Sequence, residues 1–215
     1  MKNIFFTIIT IMAFQIDAIS QINLTPPSNL QAIPNGNDIQ LTWSPPDTSN
    51  SLFLSWDQGN SGNAIGLSGP GSFLVAARWD SALLEDYVGY SISKIAFFIP
   101  GQNTTYTSYI WQGPNADSVA FNQSIDENLT DDWTFIYPNN PISINILQDL
   151  WVGYELDQSD TDYGAGTDFG PAISGYGDMI FYDGTWASMS QLFGLDFNFN
   201  IRFSLGTRWK NSCTK

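Results

Sequence analysis

The chain has 215 residues, 43% of them apolar and 15% aromatic, which is enough to close a sizeable core and too apolar for disorder. Seven Lys and Arg against 21 Asp and Glu leave a net charge of −14. No basic stripe meets a phosphate backbone, so nucleic acid is not an expected partner. There is no histidine, and Cys213 is the single cysteine. That removes Ser-His-Asp and Cys-His catalysis, the usual zinc ligands and any intramolecular disulfide.

Residues 1–20 read as a signal peptide. Met1-Lys2-Asn3 gives a positive start, 4–14 is an apolar run, and Ala18 and Ser20 place small residues before Gln21. The run is shorter than the roughly 20 residues that span a bilayer, and Gln15 and Asp17 interrupt it. The mature protein is therefore expected to be secreted to the cell surface or beyond, with no membrane insertion after cleavage. Export without disulfides points to a bacterial setting.

Residues 21–50 predict an N-terminal β-hairpin and a linker. Strands 29–33 and 38–43 flank Pro34-Asn35-Gly36-Asn37, a turn sequence, and Pro26-Pro27 and Pro45-Pro46 bracket the pair. Strands are expected next at 52–56 and 72–79, separated by a loop rich in Gly, Ser and Asn. Asp80 or Ser81 can cap one short helix, 82–87, which Gly89 stops. Further strands follow near 91–99, 105–112, 118–123, 132–137, 142–147, 150–156 and 178–183, with Pro-Gly and Asn-rich turns between them.

The last predicted strand is the most regular. Leu195, Phe197, Phe199, Ile201, Phe203 and Leu205 alternate with Asp196, Asn198, Asn200, Arg202 and Ser204. Period-two alternation puts the apolar side chains on one face, against an opposing layer. The polar face of Asn198, Asn200 and Arg202 should meet solvent or floor a concave sheet. The whole pattern is all-β: an antiparallel two-sheet jelly-roll-like β-sandwich over 51–207, with one short helix, the N-terminal hairpin, and a polar tail at 208–215.

Candidate chemistry gathers near the long 157–177 stretch, read as a loop. Asp157, Asp160, Asp162 and Asp168 offer close carboxylates around a glycine turn, which suits Ca²⁺. The terminal glutamate of an EF-hand is missing; Asp57 and Asp178 are further oxygen donors if folding brings them near. Tyr154, Tyr163, Tyr176, Tyr182 and Trp186, with Asp178 beside them, can stack on sugar rings and hydrogen-bond hydroxyls. Trp43, Trp56, Trp79, Trp111, Trp133 and Trp151 fall in predicted strands and are assigned to the core. Glu155 with an aspartate from 157–168 is the one carboxylate pair that could serve a glycoside hydrolase.

Pro26-Pro27-Ser28-Asn29-Leu30-Gln31-Ala32 and Leu41-Thr42-Trp43-Ser44-Pro45-Pro46 resemble the opening of a fibronectin type III module, over two of its strands. Residues 52–203 resemble a jelly-roll-type module of bacterial secreted surface proteins, found in adhesins and in the haemagglutinin-adhesin regions of gingipain-like proteases. The likeness rests on Trp56-Asp57-x-Gly59, Asn63-Ala64-Ile65-Gly66-Leu67, Val75-Ala76-Ala77-Arg78-Trp79 and Leu150-Trp151-Val152-Gly153-Tyr154. It continues through Gly170-Pro171-Ala172, Gly175-Tyr176-Gly177-Asp178-Met179-Ile180 and Gly194-Leu195-Asp196-x-Asn198-x-Asn200-Ile201. The resemblance implies a noncatalytic module that binds an extracellular glycan or surface protein, in a type IX secretion context. Its rivals are the hydrolase and a structural spacer.

Overall fold

The computed structural model describes residues 28–35, 38–44, 53–59, 61–100, 103–125 and 132–207. The expected signal peptide, the 45–50 linker and the polar tail lie outside them. The strands are β1 (Ser28–Asn35), β2 (Asp38–Ser44), β3 (Phe53–Ser55), β4 (Asn63–Ile65), β5 (Gly71–Trp79), β6 (Tyr90–Ile99), β7 (Thr104–Gln112) and β8 (Ser118–Ile125). They continue with β9 (Asp132–Ile136), β10 (Ile142–Ser143), β11 (Leu150–Gln158), β12 (Ala165–Thr167), β13 (Met179–Tyr182), β14 (Thr185–Ser188) and β15 (Ile201–Thr207).

All pairings are antiparallel. One sheet runs β10-β6-β15-β3, with β9 also on β6, and the other runs β14-β13-β5-β11-β7-β8. β1 pairs with β2 as the expected hairpin, and β4 pairs with β12.

The two large sheets close over one core, so the predicted all-β sandwich is what the chain forms. Phe97 and Phe203 come from the first sheet, and Trp79, Val152 and Tyr154 from the second. Phe97 meets Tyr154 edge-on at 4.8 Å, and Phe203 meets Trp79 in the same way at 4.8 Å. The spine is β11, which lies between β5 and β7 and pairs along nine residues with each. Its Val152, Tyr154 and Leu156 face this core, whereas Trp151 belongs to a second cluster with Ala76, Trp111 and Met179. Trp79, Trp111 and Trp151 are thus buried, on two different faces; Trp56 and Trp133 are half-buried. The surroundings of Trp43 lie outside the described residues.

The last strand differs from its sequence reading. Only Ile201–Thr207 is continuous strand, and Phe199 makes an isolated bridge to Thr167. Asn198 and Asn200 do not face solvent: they are 1% and 0% exposed. The 165–178 segment folds over them and hydrogen-bonds to both. Asp168 accepts from the backbone and side-chain N–H of Asn198, and Gly166 O accepts from Asn200 N. Alternation reports which residues share a face, but not whether a later loop covers it.

Other differences are local. The expected helix is a 3-10 helix, Ser81–Tyr87, and Asp80 makes no side-chain cap; its Oδ2 instead accepts from the Tyr176 hydroxyl at 2.8 Å. A second helical segment, α1 (Met189–Phe193), follows β14. The expected 142–147 strand shrinks to Ile142–Ser143. The two loops expected around 57–71 and 157–177 each contribute a short strand, β4 and β12. β13 and β14 form a hairpin through Asp183-Gly184, with φ of 53° and 81°. An Asp-Gly pair is the sequence signal for that two-residue turn.

Burial gives the core a pH signature. Tyr154 is fully buried, and desolvation holds its phenol well above the usual 10.0. The unfolded chain ionises near the ordinary value, so stability present below about pH 10 is lost as pH climbs beyond it. Melting scans should show the midpoint falling from about pH 10 upward, less steeply in Tyr154→Phe.

Candidate functional site

In the connecting segments of the sandwich the carboxylates act as staples. Asp168 is buried and accepts from Gly170 N (2.8 Å), Gln58 N (3.2 Å), Asn198 N (2.8 Å) and Asn198 Nδ2 (3.0 Å). Asp178, also buried, accepts from Gly175 N and Ser190 N and from the hydroxyls of Ser188 and Ser190. Asp57 takes the guanidinium of Arg202 through both oxygens, and Gly59 N as well. Asp162 accepts from Asn103 N (2.9 Å), the Thr104 hydroxyl (2.7 Å) and Tyr163 N (2.8 Å). Each carboxylate gathers N–H and O–H donors that the irregular backbone would otherwise leave without partners.

Next to the Asp162 staple lies a cleft of about 440 Å³. Phe73 and Ile180 are its buried floor, and Ile65 and Leu67 line one side. Tyr163 (62% exposed), Tyr182 (47%), Phe193 (49%) and Leu195 form the rim. Tyr182 and Phe193 meet edge-on, with ring centroids 5.9 Å apart. The Asp183-Gly184 turn presents Tyr182, α1 presents Phe193, and the Asp162 staple sets the backbone of Tyr163. Gly66 fixes the wall behind it: a Cβ there would lie 1.8 Å from the carbonyl oxygen of Asp162. No larger residue lets the two loops approach so closely.

The sequence-predicted ligand residues are dispersed. Tyr163 lies on the cleft, as does Tyr182. Tyr154 does not, because it is sealed in the main core between Phe97 and Tyr106. Asp178 is a buried staple with no exposed surface. Tyr176 is half-buried, its ring tilted against Trp56 with centroids 5.3 Å apart, and its hydrogen bond to Asp80, with desolvation, raises its phenol pKa. Trp186 covers the outer cluster, 5.1 Å from Trp151 and 5.6 Å from Trp111.

The four proposed calcium ligands are likewise separated. Asp157 is exposed on β11, opposite Ser72 and Thr105, while Asp160 is exposed and caps Thr161 N. Asp162 and Asp168 are engaged as described. Among the described residues no three of His, Cys, Asp and Glu come near enough to share a metal ion. Glu155 is half-buried, accepts from the Tyr109 hydroxyl at 3.3 Å and does not line the cleft. Burial, and then the charge of Glu155, raise the Tyr109 pKa.

No protein-family model matches the chain, and no curated protein matches it. Among solved structures it is similar to one described as the cysteine protease and lectin-like domains of Cwp84, a surface layer associated protein of Clostridium difficile. Identity is 12% and the TM-score 0.45, over 78% of this chain and 38% of that one. The chain thus spans well under half of that chain's length.

Sequence reading missed Ile65, Leu67, Phe193 and Leu195 as cleft residues. The spacing of 128 positions between Ile65 and Phe193 leaves no local signal, since apolar side chains normally turn inward. The Asp-Gly turn after Tyr182 is the one clue that an aromatic would stand at an exposed loop tip.

Proposed function

We propose that the chain is a secreted, noncatalytic binding module that recognises a surface protein or a glycan outside the cell through this cleft. The carrying observation is the exposure of Tyr163, Tyr182, Phe193 and Leu195 around the rim of this one cleft. Contiguous exposed apolar surface around a concave site marks recognition in soluble domains. The lining offers few polar groups, chiefly Ser68 and two tyrosine hydroxyls. A partner that inserts an apolar or aromatic group therefore suits it better than a hydroxyl-rich sugar alone.

A glycan array and a surface-protein pull-down test the reading, with Tyr163→Ala/Tyr182→Ala as the control. The double variant should lose about tenfold or more in affinity with little change in melting midpoint, because both rings are exposed. Undiminished binding would sink the cleft, and two blank screens would favour a spacer. Turnover of glycosides, abolished by Glu155→Gln, would replace the reading with a hydrolase.

This reading needs no calcium. Asp168, Asp178 and Asp57 already face N–H and O–H donors, which repel a cation. The melting midpoint should be the same in Ca²⁺ and in EDTA; a rise with Ca²⁺ would restore the metal expectation.

A further inference from the structure

The five-stranded sheet is charged unlike the rest of the chain. Its strands β3, β6, β9, β10 and β15 carry one acid, Asp132, and two bases, Lys94 and Arg202, where the whole sequence has 21 acids and seven bases. Arg202 is neutralised by Asp57. Lys94 has no carboxylate partner among the described residues, whose two ion pairs belong to Arg78 and Arg202. Its ammonium stands instead among three rings, with centroids at 4.4 Å for Phe135, 4.9 Å for Phe53 and 5.7 Å for Tyr137. Ile95 and Phe97 of β6 point into the core, so Lys94 lies on the outer face. It reaches Phe53 across Ser204, the small residue between them on β15. Phe135 is 45% exposed and Tyr137 60%, so the surround is open on that side. Asp132 is at the far end of β9, opposite Ile99, and accepts from Trp133 N.

We propose that this face binds a carboxylated sugar, with the carboxylate on the Lys94 ammonium and a C–H face of the pyranose against Phe135 and Tyr137. Ring faces hold an ammonium without neutralising it, and its N–H donors stay available to an oxygen anion. A bare anion would leave the rings unused, and a neutral sugar would leave the charge unused. An acidic peptide fits less well. Extended peptides dock through backbone pairing at a free strand edge, whereas β6 is paired on both sides, by β15 and by β9. The acids elsewhere on the protein weigh little against a single carboxylate, because charges beyond about 8 Å are screened at physiological salt. Lys94, Phe53, Phe135 and Tyr137 do not line the cleft, so this site is independent of it.

An NMR titration of the protein with methyl β-glucuronide, set against methyl β-glucoside, tests the proposal without any substitution. The two sugars differ in the carboxylate, and the glucuronide should bind about tenfold or more tightly, less so as salt is added. Lys94→Met keeps a stem against the rings and should bring the glucuronide down to the level of the glucoside, while Lys94→Arg should retain the preference. The cleft variant Tyr163→Ala/Tyr182→Ala should bind the glucuronide as the wild type does. Equal affinity for the two sugars overturns the proposal, as does a Lys94→Met protein that still prefers the glucuronide. So does acetate or a diglutamate peptide binding as tightly as the glucuronide, or loss of the sugar in the cleft variant.

Discussion

Asp57→Ala lowers the unfolding free energy by about 3–5 kcal/mol, and the melting midpoint by about 10 °C or more. Asp57 has a side chain with no exposure, and Arg202 is mostly covered, with its guanidinium 4.1 Å from the centre of the Trp133 ring. Removing the carboxylate strands the Arg202 charge between the 57–59 loop and the Trp133 ring, and frees Gly59 N. A buried charge without its partner is among the costliest single defects. The companion Asp57→Ala/Arg202→Met should recover much of the loss, because then neither charge is left unmatched. Denaturant melts of the two variants decide. A double variant no more stable than Asp57→Ala would mean the damage lies in the loop and not in the charge.

Phe203→Ala should cost about 3–5 kcal/mol, through lost burial plus the cavity left behind. Phe203 is fully buried in mid-β15, between Leu54 of β3 and Ile95 of β6, with its ring edge-on to Trp79. Phe197→Ala should cost clearly less, since Phe197 precedes the strand and is only partly buried. Equal losses would mean that the regular alternation of the segment, and not its folded context, governs its stability.

That contrast shows where pattern reading stops. Period-two alternation placed Phe199, Ile201, Phe203 and Leu205 on the core face, and the fold agrees because β15 needs an apolar face toward β5 and β11. The same pattern put Asn198 and Asn200 on a polar face, toward solvent or flooring a concave sheet, and they are buried. The burial of Asn198 goes with Asp168, thirty residues before it, which supplies a carboxylate for its N–H groups. No local periodicity carries that pairing. The aspartates of the 157–178 stretch were legible as a cluster of charge. Whether they turn toward a cation or toward backbone N–H groups depends on how the loops lie.

The chain by itself determined the all-β class, most strand positions and the absence of any histidine side chain from them. Those follow from residue type and near-neighbour spacing, which act over a few residues. Tertiary structure alone decided that Tyr154 and Asp178 are sealed inside while Tyr163 and Tyr182 stand on a cleft. It also decided that Ile65 and Phe193 share that cleft and that β8 is left at an edge. Burial and proximity are properties of chain segments brought together from far apart, and they exist only once the sheets have closed.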